Sequence, residues 1–78
     1  MDFNILIGEP EGRDLDLFDG DPVERMDSMT MPQLLRELGL IKSLSQVKGS
    51  KYWGDIPDGW SDFTYGKRRD RICILKKG

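Results

Sequence analysis

Two helix-capping patterns follow one another in the middle of the chain, and they constrain its fold more than any other feature. In "TMPQLLRELGL", Thr30 is followed three residues later by Gln33, a pair that can satisfy two free backbone N–H groups at a helix start. Pro32 suits the first helical turn, and Gly39 suits the left-handed residue that ends a helix. The next segment, "SLSQVKGSKYW", opens with the same spacing of serine and glutamine. The sequence therefore predicts two short helices joined by a tight turn.

Segments with alternating apolar residues lie on both sides of this helix pair. "FNILIG" and "RDLDLFD" are separated by "GEPEG", which suits a hairpin loop, and "WSDFTY" and "RICIL" are separated by "GKRRD". The prediction is one α+β domain over residues 1–78. Residues 1–29 form an acidic N-terminal β-hairpin and a linker, and residues 30–78 form the two helices and a basic C-terminal β-hairpin. The best apolar faces predict a core of Leu34, Leu35, Leu38, Ile41, Ile72 and Ile74.

Charge is divided unevenly along the chain, although the total is only −2. Residues 1–41 contain three basic and ten acidic residues, a net charge of −7. Residues 42–78 contain nine basic and four acidic residues, a net charge of +5. Such an asymmetry indicates either a charged partner or neutralisation of one half by the other in the fold.

Several functional classes have little support in the sequence. With no histidine and a single cysteine, Cys73, the chain has too few ligands for structural zinc, and "DLDLFDGD" places Leu15 and Leu17 at ligand positions of an EF-hand loop. It also lacks a Gly-rich phosphate-binding loop and a Cys–His pair. We therefore expect no enzyme, no metal and no cofactor. The lone cysteine, the acidic start and the absence of any apolar run near ~20 residues predict a cytoplasmic protein.

The run "LLRELGLIKSLSQVK" resembles the RNA-binding domain named after ribosomal small-subunit protein S-four, the alpha-L fold. That family has a leucine-rich helix ending in a Leu-Gly-Leu-type turn, then a helix start similar to Ser-x-Ser-Glu-Ala-Arg. The matching positions here are, in order, Ser43, Ser45, Gln46, Val47 and Lys48. "YGKRRDRICIL" is similar to the family's closing turn and strand. The resemblance covers roughly residues 31–75 and implies RNA binding by a small α+β domain.

The densest positive charge lies between the last two predicted strands, in "GKRRDR". Arginine can grip phosphate with two hydrogen bonds, lysine adds a point charge, and neighbouring aromatic rings can stack on unpaired bases. Lysines of the second predicted helix can extend this patch. A solvated hairpin tip remains the simpler alternative. The candidate nucleic-acid-binding residues are Lys42, Lys48, Lys51, Lys67, Arg68, Arg69, Arg71, Trp60 and Tyr65.

Two other functions remain open. A protein-interaction module, such as a phage-encoded inhibitor that imitates nucleic acid in anti-defence or host takeover, could dock its acidic half on a basic protein surface. Its candidate residues are Asp14, Asp16, Asp19 and Asp21. A winged-helix-like DNA-binding regulator could use the helix pair and the last hairpin, although Gly49 interrupts the reading helix. The oligomeric state is not indicated by the sequence.

Overall fold

The computed structural model describes residues 2–28 and 30–77. A mixed sheet of four strands runs through it in the order β2-β1-β4-β3. The strands are β1 (Asp2–Ile7), β2 (Glu24–Arg25), β3 (Gly59–Tyr65) and β4 (Asp70–Lys76). The helical elements are α1 (Met31–Glu37) and two 3-10 helices, η1 (Asp14–Phe18) and η2 (Leu44–Val47). The predicted class, a small α+β domain, is confirmed.

Strand β1 lies inside the sheet because both of its faces are apolar. Ile5 and Ile7 belong to the cluster that contains the α1 leucines, whereas Leu6 contacts the cluster around Phe18 of η1. Strands covered on both faces are typical of parallel pairing. Accordingly, β1 runs parallel to both β2 and β4, and β3 is antiparallel to β4.

The predicted N-terminal hairpin is wrong, because "RDLDLFD" forms η1 and not a strand. Its alternating residues Leu15 and Leu17 are 48% and 52% exposed, and the buried residue is Phe18. The N–H of Asp16 donates to the carbonyl of Arg13, which closes a three-residue turn typical of a 3-10 helix. The leucines therefore point to solvent, and β1 finds its partners elsewhere in the chain.

Helix α1 begins and ends as its sequence predicts. The Thr30 hydroxyl accepts a hydrogen bond from the N–H of Gln33, whose side chain accepts one from the N–H of Thr30. At the other end Gly39 has a φ of 79°, and the N–H of Leu40 donates to the carbonyl of Leu35. These bonds satisfy backbone groups that a helix end leaves free.

The second predicted helix is confined to η2, a single 3-10 turn of four residues. Its capping box is present, but Lys48 is extended and Gly49 has a φ of 81°. The hydroxyl of Ser50 then donates to the carbonyl of Val47 and holds the chain in a turn. A long helical face for binding nucleic acid is therefore missing at this point.

The sheet separates two apolar clusters. On the α1 side, the buried predicted core residues are Leu34, Leu35, Ile41, Ile72 and Ile74. Leu38 is half-buried at the edge of this cluster. The smaller cluster on the η1 side contains Leu6, Phe18, Cys73 and Leu75.

Replacing Leu35 by alanine should lower the free energy of unfolding by ~2–5 kcal/mol, because the side chain is 0% exposed in the main cluster. The matched change Leu15→Ala should cost less than ~0.5 kcal/mol, since Leu15 is 48% exposed. Chemical denaturation of both variants measures this difference. If both variants lost the same unfolding free energy, Leu15 would have to be buried, as it would be in the predicted N-terminal hairpin.

Candidate nucleic-acid interface

The turn between β3 and β4 places three basic side chains at one end of the sheet. These residues, Lys67, Arg68 and Arg69, are all exposed. The N–H of Arg69 donates to the carbonyl of Gly66 at 3.1 Å and closes the turn. Within residues 2–28 and 30–77, none of the three cations forms an ion pair. The turn therefore presents its positive charge to solvent.

Arg69 has a backbone conformation that glycine adopts more readily. Its φ is 52°, in the left-handed region, where a β-carbon costs roughly 1–2 kcal/mol. Gly66, at the other end of the turn, has a φ of 83° without that cost. The turn geometry alone therefore favours glycine at both positions and does not account for the arginine.

Tyr52 connects the segment after η2 to the same end of β3. Its hydroxyl donates to the carbonyl of Thr64 at 3.1 Å, and its ring meets the Tyr65 ring edge-on with centroids 5.0 Å apart. The ammonium of Lys51 lies 5.3 Å from the centre of the Tyr52 ring, within the range of a cation–π interaction. Lys51 thus lies beside the strand end that carries the turn. We call Lys51, Lys67, Arg68 and Arg69 the basic cluster.

Arg71, also a predicted site residue, is engaged across the sheet. Its Nε and Nη2 donate to the two carboxylate oxygens of Asp62 on β3, at 3.2 and 2.6 Å. This hydrogen-bonded pair lowers the pKa of Asp62 and raises the pKa of Arg71. The guanidinium N–H groups that would bind a phosphate are therefore already bound to a carboxylate of the same hairpin.

Trp60 and Tyr65 lie on opposite faces of the sheet. Trp60 contacts Phe18 on the η1 side, with ring centroids 5.2 Å apart, whereas Tyr65 contacts Tyr52 on the α1 side. The two residues are an odd number of positions apart, and successive side chains of a strand alternate between faces. The sequence thus contained the signal that Trp60 and Tyr65 face opposite sides of the sheet, and the contact with Tyr52 places Tyr65 beside the basic cluster. Trp60 belongs to another surface.

Lys42 and Lys48 flank η2 and are exposed. Among the described residues, no hydrogen bond joins either lysine to the β3–β4 turn. Tyr52, by contrast, was missed as a site residue. Its role depends on a contact between a loop and a distant strand, for which the local sequence carries no signal.

The four predicted acidic residues divide between two environments. Asp14 accepts a hydrogen bond from the N–H of Glu11 at 2.6 Å and pairs with Lys77 at 3.2 Å. These interactions, the backbone bond first, lower the pKa of Asp14. Asp16 pairs with Arg13 at 2.8 Å. The remaining two, Asp19 and Asp21, line a cleft beside Trp60.

The two oppositely charged halves of the chain neutralise each other very little. Among the ion pairs of the described residues, only Asp14–Lys77 joins the acidic half to the basic half. The others stay within one half, as Arg25–Glu9 and Lys76–Asp58 do. The described ion pairs therefore connect the two halves at a single point.

In the part of the chain that the structure describes, no group of side chains is arranged to hold a metal ion. In the same part, none of the helices has the length and apolar character needed to cross a membrane. The chain matches no protein-family model, no curated protein and no solved structure. The resemblance to the S-four RNA-binding domain therefore stays a prediction.

Acid should weaken the fold through Asp62. The pKa of Asp62 in the folded state is below its ordinary value of 3.8, so the ionised carboxylate stabilises the fold above pH 3.8. This stabilisation is lost as the pH falls toward the folded-state pKa. Asp62→Asn should therefore lose less unfolding free energy than the wild type between about pH 4 and about pH 2. Denaturant titrations across this range measure the difference. Asp19→Asn, which removes a carboxylate outside any described ion pair, is the control. An identical acid response in wild type and Asp62→Asn would contradict the assignment.

Proposed function

We propose that this protein is a small, non-enzymatic nucleic-acid-binding domain that binds RNA through the β3–β4 turn. The supporting observation is the basic cluster, whose three turn cations are exposed and unpaired within the described chain. Lysine and arginine contacts to phosphates supply most of the sequence-independent affinity of nucleic-acid-binding proteins.

A solvated hairpin tip is the competing explanation, since lysine often protects a sheet edge from aggregation. Here, however, the charges lie at the strand ends and not along the outer edge of β3. The left-handed φ of Arg69 also favours glycine at this position. A function of the arginine charge would account for a residue that the turn itself disfavours.

The surroundings of the cluster favour RNA with unpaired bases over duplex DNA. Tyr65 and Tyr52 are only half-buried beside the turn, and aromatic side chains next to cations can stack on unpaired bases. Binding of duplex DNA by a helix in the major groove has less support. Helix α1 has only seven residues and buries four of them, and η2 is a single turn.

The four cations of the basic cluster limit the expected affinity. With a slope near 0.7 per contacted phosphate of a single strand, full engagement predicts a log–log salt slope of about 3. Binding should therefore be detectable at low salt and weak at physiological salt. Contacts of this kind position RNA without reading its sequence.

Replacing Arg68 and Arg69 together, by alanine and glycine, should reduce the salt slope by about 1.4, because two phosphate contacts are removed. Filter binding across a salt series, with an RNA hairpin and a DNA duplex of equal length, measures the slope. The matched control is Arg13→Ala with Arg36→Ala, which removes two exposed arginines elsewhere in the fold. If the wild type binds neither ligand at low salt, or if the control lowers the slope equally, the proposal fails.

The single change Arg69→Gly separates the turn geometry from the charge. The φ of 52° is accessible to glycine, so the variant should remain within about 1 kcal/mol of the wild type in unfolding free energy. Its affinity for the RNA hairpin at low salt should nevertheless fall. Thermal unfolding and filter binding on the same preparation test both statements. A variant that unfolds at much lower temperature would show that Arg69 is structural.

A further inference from the structure

The sheet face on the η1 side is only partly covered. Phe18 of η1 lies over Cys73 and Leu75, but Trp60, at the side of Phe18, remains 40% exposed. Leu17 of η1 is 52% exposed and lines the same cleft as Trp60. Two large apolar side chains thus form an open surface on β3 and η1.

Carboxylates surround this apolar surface. Asp2, Asp19 and Asp21 line the cleft, are exposed, and form no ion pair with a described residue. The cation in the cleft wall, Arg71, is neutralised by Asp62. We call Leu17, Trp60, Asp2, Asp19 and Asp21 the acidic face.

The size of the cleft indicates what it can accept. Its volume is about 80 Å³, whereas sites for small-molecule ligands usually have ~300–1,000 Å³. A single protruding side chain fits such a cleft. A lysine or arginine side chain would be the complementary one, because its methylene stem can lie on Leu17 and Trp60 while its cation faces the carboxylates and the indole ring.

The chain itself carries a matching element. The β3–β4 turn is a protruding tip with the unpaired cations Lys67, Arg68 and Arg69, and the acidic face offers three unpaired carboxylates. Within one molecule the turn cannot reach Trp60, since the two lie at opposite ends of the same hairpin. We propose that the acidic face binds the β3–β4 turn of a second copy of this protein.

Contact between two different surfaces of the same chain is head-to-tail. Such association forms either a closed ring or an open chain of copies. An open chain becomes longer as the protein concentration rises. The association does not depend on the function proposed above. If the turn also binds RNA, phosphates and the acidic face must compete for the same cations, so RNA should dissociate the assemblies.

Sedimentation velocity at neutral pH without RNA tests the association directly. The average sedimentation coefficient of the wild type should rise with protein concentration at about 20 mM salt. It should return to the monomer value at about 0.5 M salt, because the Debye length then falls to a few ångströms. A wild type that stays monomeric at millimolar concentration and low salt would overturn the proposal, whatever its affinity for RNA.

Paired variants identify the two surfaces. The face variant, Asp19→Asn with Asp21→Lys, and the turn variant, Arg68→Glu with Arg69→Gly, should each remain monomeric. Asparagine is chosen at position 19 because Asp19 has a φ of 53°, which asparagine tolerates. When mixed, the two variants should form a 1:1 complex that does not grow, since one retains the turn and the other retains the acidic face. Mixed variants that stay monomeric would refute the head-to-tail contact.

A control separates this contact from general charge effects. Asp27→Asn with Glu37→Lys changes the net charge by the same amount as the face variant, at two exposed residues outside the cleft. This control should associate as the wild type does. Leu17→Ser should weaken association without altering the fold, because Leu17 is largely exposed. Equal loss in the control and the face variant, or no effect of Leu17→Ser, would contradict the proposed surface.

Discussion

The parallel pairing of β1 with β4 is the interaction on which the rest of this structure depends. It joins the first strand to the last, with Ile5 opposite Ile74, and it makes both strands central in the sheet. Parallel strands need cover on both faces, which α1 and η1 provide. The end of β1 requires Gly8, where an added β-carbon would overlap the carbonyl oxygen of Lys77. The end of β1 is thus in close backbone contact with the residue that follows β4.

This pairing also determines where charge is placed. Once β4 is central, its hairpin partner β3 becomes the outer strand, and the β3–β4 turn projects from one end of the sheet. The acidic N-terminal half covers the sheet face opposite α1 through η1, so several of its carboxylates line the cleft beside Trp60. A small chain of net charge −2 therefore has two surfaces of opposite sign.

The local features of the sequence predicted the elements that are stabilised locally. Helix α1 has the predicted capping box and ends at Gly39, because both signals act through hydrogen bonds within a few residues. The closing hairpin and its basic turn were also predicted from neighbouring residues. In contrast, the alternating leucines of η1 and the capping box of η2 were compatible with longer elements that the structure does not form.

By itself, the sequence determined the class of fold, the position of α1, most of the helix-side core and the exposure of the three turn cations. Periodicity and short-range hydrogen bonding are sufficient for these features. Only the tertiary structure decided that β1 pairs with β4, that Tyr52 holds Lys51 beside the turn, and that Asp62 occupies Arg71. It also decided that Trp60 joins the acidic face. Each of these depends on contact between residues that are distant in sequence, and local patterns do not specify such contacts.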